Sequence, residues 1–82
     1  MQLNQAFALR VREVLKAKKI TQYKLALEAG LYHSTLTDIL SCKYKTPNFK
    51  NIALIIRELG MSMQEFFDSP LFNFSELTIE GD

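Results

Sequence analysis

The sequence predicts a compact all-α domain of five helices with a short C-terminal tail. Three observations carry that expectation. Apolar residues recur at three- and four-residue intervals through most of the chain, the period of a single helix face. The periodic stretches are separated by residues that start or stop helices, namely Thr21, Gly30, Pro47, Gly60 and Ser62. With 82 residues, 48% of them hydrophobic, the chain suffices for one core and is too short for two.

The first helix is expected from about Asn4 to Lys18. Phe7, Val11, Val14, Leu15 and Lys18 follow one face, and Arg10, Arg12, Glu13 and Lys16 fill the other. Lys16, Lys18 and Lys19 suit the negative end of the helix dipole. Thr21 can cap a second helix, Gln22 to Ala29, with Leu25, Ala26 and Ala29 inward and Gly30 supplying the positive φ that ends it. A third helix runs from Tyr32 or His33 to Leu40, turning Leu36, Ile39 and Leu40 inward. Residues 41 to 48 read as a loop in which Pro47 either opens the next helix or restricts the residue before it. The fourth helix, about Phe49 to Leu59, places Phe49, Ile52, Ala53, Ile56 and Leu59 at helical spacing and stops at Gly60. Ser62-Met63-Gln64-Glu65 has the form of a capping box and opens a short fifth helix through Phe66 and Phe67. These elements form one domain over residues 1–68. Residues 69–82 form an acidic tail, weakly alternating from Leu71, which serves as a lid over the core or as a dimerisation segment.

The formal net charge is only +1, but it is unevenly spread. The first 67 residues hold all ten basic residues and five acidic ones, a balance of +5, and residues 68–82 hold four acids and no base. A basic body with an acidic tail fits a polyanion-binding surface plus a segment kept away from it, although a short chain can carry such asymmetry incidentally. One cysteine and one histidine supply no metal-ligand cluster and no intramolecular disulfide, and no cofactor is expected. No apolar run reaches the roughly 18 residues of a membrane span, and no signal-peptide core opens the chain, so a cytoplasmic protein is expected. Nucleophile–base pairs, carboxylate pairs and phosphate-cradling glycine loops are all missing, which makes an enzyme the least expected class.

Two short helices joined by a tight turn that opens on Gly30 describe a helix-turn-helix, spanning Thr21 to Ser41. Leu25 can face Leu36 and Ile39, Ala26 is small where the helices cross, and Leu31 can plug the turn. Left outward on the third helix are Tyr32, His33, Ser34, Thr35, Thr37 and Asp38. That face is polar and short-chained, and it fits a major groove about 12 Å wide.

The run Thr21 to Leu31, then Ser34 to Leu40, Lys43 to Pro47, Ile52-Ala53 and Leu59-Gly60-Met61-Ser62 resembles the phage repressor and Cro-type helix-turn-helix domains. These are the xenobiotic-response-element class of bacterial regulators. The resemblance covers roughly residues 7–67 and implies a five-helix lambda-repressor-like fold whose third helix is the recognition helix. Two positions depart from the family pattern. Ser41-Cys42 stands where Asn-Gly or Ser-Gly is usual, so a positive φ at Cys42 would cost about 1 kcal/mol. Leu15 and Leu40 replace an Arg–Glu pair between the first and third helices, a change that is often neutral or stabilising.

On this resemblance His33, Ser34, Thr37 and Asp38 are expected to contact bases, with Asp38 alternatively bonding Ser34 or a nearby lysine. Gln22, Tyr32, Thr35, Lys43, Lys45 and Asn48 are expected along the phosphates, helped by free amides opening the fourth helix. Too few base contacts come from one recognition helix, so a homodimeric regulator, a repressor by expectation, would read a pseudo-palindromic operator in double-stranded DNA. Met61, Met63, Phe66, Phe67, Leu71, Phe72 and Phe74 are the candidate dimer surface. Two alternatives use the same fold. One is an antitoxin whose apolar end also binds a toxin; the other is a protein-interaction module that no longer binds DNA.

Overall fold

Most helices begin at a residue whose side chain caps them, and the first four end where one residue turns left-handed. The computed structural model describes residues 1–79. Its elements are α1 (Leu3–Lys18), α2 (Gln22–Ala29), α3 (His33–Leu40), α4 (Phe49–Glu58) and α5 (Met63–Phe67), followed by 3₁₀ turns at Pro70–Phe72 and Phe74–Glu76. Among the described residues the chain is all-helical except for one parallel bridge between Gln2 and Thr78. Glu80 and Asp82, two of the acidic tail's three acids, lie outside the described residues.

At the starts, the Thr21 hydroxyl accepts from the Lys24 amide, and Asn48 Oδ1 accepts from the Lys50 and Asn51 amides. Ser62 and Glu65 form the reciprocal capping box, at 3.0 and 3.1 Å. Pro47 thus sits just outside α4, before its capping residue.

Four ends share one device. Lys19, Gly30, Cys42 and Gly60 have φ of 56°, 73°, 62° and 75°. After each, the next residue donates its amide five residues back: Ile20 to Leu15, Leu31 to Ala26, Lys43 to Asp38, Met61 to Ile56. Ile20, Leu31 and Met61 also rest on the core, giving those closures their apolar contact. In α3 it is Cys42 itself that packs inward. Cys42 thus takes the left-handed conformation despite lacking glycine's freedom, and Lys19 adds a second non-glycine in it.

Val11, Leu25, Leu36, Ile39, Ile55, Ile56, Leu59 and Phe66 are almost fully buried and tie all five helices into one core. Leu15 and Leu40 lie in that same cluster. The stripe on α4 is rotated from the expected one. Ile55 is fully buried, whereas Phe49 is 75% exposed and lines a shallow apolar groove of about 230 Å³ with Leu3, Phe7, Ile52, Phe67 and Phe72. As the first helical residue, Phe49 stands over the preceding loop rather than over the core.

Helix α1 ties the other elements together through its polar side chains. Asn4 donates to the Tyr44 carbonyl at 2.8 Å, Arg12 to the Leu40 carbonyl at 3.0 Å, and the Lys18 ammonium to the Leu59 carbonyl. Arg10 donates to the carbonyls of Phe66 (2.7 Å) and Glu65 (3.1 Å), and its guanidinium lies 5.8 Å from the Phe66 ring centroid. These cations satisfy the orphan carbonyls at the ends of α3, α4 and α5, where the dipole also favours positive charge. Residues 70–78 then return to α1. Phe72 stacks near Phe66 and Phe67, and the Thr78 amide donates to the Met1 carbonyl at 2.8 Å.

Candidate nucleic-acid interface

The candidate surface is the outer face of α3 with the elements that flank it: the first turn of α2 and the loop from Ser41 to Asn48. Burial of Leu36, Ile39 and Leu40 fixes the rotation of α3, leaving His33, Ser34 and Thr37 exposed, with Thr35 and Asp38 half-buried. Tyr32, at the capping position, is 83% exposed and makes no side-chain cap. The first amides of α3 are thus open to an acceptor, in the geometry that binds phosphate or carboxylate. The amides opening α4 are different. Asn48 Oδ1 already occupies two of them, which corrects the expectation that they are free.

Four contacts join the expected residues to one another or to neighbours. Gln22 Nε2 donates to Thr37 Oγ1 at 2.9 Å, linking the start of α2 to the middle of α3. Asp38 Oδ2 lies 3.6 Å from the Lys43 ammonium and accepts from the Tyr44 hydroxyl at 3.4 Å. The lysine alternative for Asp38 is therefore the one present, and Oδ1 has no part in either contact. His33 packs against Tyr23, with ring centroids 5.7 Å apart and planes tilted by 52°. Tyr32, Ser34 and Thr35 stand beside this group without bonding to it.

Tyr23 is absent from the residues expected to touch DNA, whereas Tyr44 belongs to the loop expected along the phosphates. Tyr44 lies in a loop already flagged by its lysines. Tyr23 precedes His33 by ten residues across a turn, and no periodicity rule connects the two.

Six of the ten basic residues fall into two groups. Arg10, Arg12 and Lys18 are committed to backbone carbonyls. Lys43, Lys45 and Lys50 surround the end of α3 and the start of α4, so the positive charge on the candidate face is a subset of the +5 counted along the chain. Lys24–Glu28 and Arg57–Glu58 are exposed pairs of the kind that contribute little. No helix among the described residues is long and apolar enough to cross a membrane.

A family model described as a Cro/C1-type HTH DNA-binding domain matches residues 10–70, more than half of the chain. The match takes in α2, α3 and the loop that carries the lysines. No curated protein and no solved structure matches.

Proposed function

Because the chain belongs to the Cro/C1-type helix-turn-helix DNA-binding domain family, we propose that it is a sequence-specific transcriptional regulator, a repressor that binds a pseudo-palindromic operator as a homodimer. The observation that carries this reading is the outer face of α3. It offers short polar side chains at an open, positively polarised helix end beside a lysine-bearing loop.

In this reading His33 donates to or accepts from a base edge, and Ser34 and Thr37 read beside it. Asp38 accepts from a cytosine amino group through Oδ1 while Lys43 holds Oδ2 and offsets the repulsion between carboxylate and phosphate. Gln22, Tyr32, Thr35, Lys43, Lys45 and Asn48 line the backbone and set the register. Asn48 does so through its amide nitrogen, since its oxygen caps α4. Two copies related by a two-fold axis place two α3 helices about 34 Å apart, in successive major grooves. Met63, Phe67 and Phe74 are the parts of the apolar C-terminal surface that remain exposed for pairing, since Phe66 belongs to the core.

Titration onto duplex DNA at rising salt tests the electrostatic half of the proposal. With about three phosphate contacts per protomer and hence about six in the dimer, operator affinity falls on the order of a thousandfold between 50 and 200 mM salt. A salt-independent affinity, or no binding at low salt, contradicts the proposal. Sedimentation of the complex tests the stoichiometry, with two protomers per duplex expected and one contradicting the dimer.

A further inference from the structure

We propose that Tyr23, on α2, is a positioning residue that sets which base His33 reads. This rests on the DNA-reading role of α3 proposed above and goes beyond it, by placing a specificity determinant outside the recognition helix. Tyr23 lies in the first turn of α2, 64% exposed, with its ring 5.7 Å from the imidazole of His33 at a 52° tilt. Ring pairs with centroids between 4.5 and 7 Å and offset or tilted planes are attractive. The neighbouring residue fixes the geometry of this one. Gln22 Nε2 donates to Thr37 Oγ1 at 2.9 Å, so the first turn of α2 is tied to α3 one helical turn beyond His33. The packed interface of Leu25 and Ala26 with Leu36 and Ile39 holds the two helices from the inside.

The consequence is conformational. His33 is the first residue of α3 and is exposed, so no core contact restricts its side chain. A free imidazole samples several staggered rotamers and tautomers, and each offers the groove a different pattern of donor and acceptor. The Tyr23 ring favours the rotamers that lie against it. A bias of about two- to tenfold is the scale of one such ring pair. His33 therefore meets DNA already oriented, and the ordering cost of binding falls. The ring performs this role, and the hydroxyl is dispensable to it.

The test uses the full chain and a pool of random-sequence duplexes as probe. Wild type, Tyr23→Ala, Tyr23→Phe and His33→Ala each select from the pool. One-dimensional NMR of the free proteins follows the carbon-bound protons of the single imidazole. The expected result has two parts. In the free protein, Tyr23→Ala removes the ring-current shift of those protons and Tyr23→Phe keeps it. In the selections, Tyr23→Ala loses base preference by two- to tenfold at the positions that His33→Ala also loses, and Tyr23→Phe selects as wild type does.

The inference is overturned if the imidazole protons do not respond to Tyr23→Ala. It is also overturned if Tyr23→Ala selects as wild type does, or weakens every position equally, or if Tyr23→Phe behaves like Tyr23→Ala. The last two outcomes make Tyr23 a phosphate contact. Failure of the underlying DNA role looks different: the ring-current shift stands while wild type itself selects nothing, and both claims then fall.

Discussion

Lys19 and Cys42 hold the left-handed backbone that two glycines hold elsewhere in the chain. A Cβ in that region clashes with the following carbonyl, at a cost of about 1 kcal/mol or more per residue. Lys19 is exposed, so Lys19→Gly is expected to raise stability by about 1 kcal/mol, a gain of several degrees in Tm for a domain of this size. Cys42→Gly gains less, because the cysteine side chain packs on the core, and Cys42→Val loses stability through its branched Cβ. Thermal unfolding of the three variants checks the order. The strain at Cys42 was readable, because a glycine is usual at that place in the family pattern. The strain at Lys19 was not, since a lysine beside the end of a helix reads equally well as a favourable charge.

The fold alters the titration of Glu65. Its carboxyl is held below the usual glutamate value chiefly by the Ser62 amide and then by the Ser62 hydroxyl; desolvation opposes them, and the Lys18 ammonium adds the smallest lowering. A lowered native pKa makes the contribution to stability complete above the unfolded value, and it disappears as pH falls through the native one. Urea midpoints of wild type and Glu65→Gln should therefore differ at neutral pH and converge as acid protonates Glu65. A gap that stays constant across that range contradicts the capping role.

At the scale of elements, α1 organises the molecule and α3 faces outward from it. Arg10 closes the carbonyls of α5 and faces the Phe66 ring, so Arg10→Ala is expected to cost about 1.5–3 kcal/mol. The same variant should leave the salt dependence of DNA binding unchanged, which separates its structural charge from a phosphate contact. Periodicity and capping residues located all five helices, because Thr21, Gly30, Gly60 and Ser62 act locally. The centre of the α4 stripe was not legible. A run such as Phe49, Ile52, Leu54, Ile55 and Ile56 is apolar over much of the helix circumference, and packing against α2 and α5 selects which part is buried. The α1 arginines and Lys18 were equally opaque, since a base that caps a distant carbonyl looks in sequence like one that faces solvent.

For the whole molecule, charge distribution matters more than net charge. A balance of +5 over 67 residues suggested a basic body, but three of those bases serve backbone carbonyls, and only some of the others, Lys43, Lys45 and Lys50 among them, lie beside α3. If Lys43 meets a phosphate, Lys43→Ala lowers the slope of log affinity against log salt by about 1 per protomer, about 2 for the dimer. An unchanged slope removes Lys43 from the interface. The helix-turn-helix from Thr21 to Ser41 was the most legible part of the candidate site, since its packing needs are met by residues at fixed spacing. The Tyr23–His33 pair was the least legible, because it joins two elements through a turn.

Selection of binding sites from random duplex DNA by the wild-type chain tests the central claim most directly. An enriched inverted repeat is expected, with half-site centres about 10 base pairs apart, or a multiple of the helical turn, and with preferences that weaken when His33 or Thr37 is replaced by alanine. A pool that returns with no enriched sequence contradicts it.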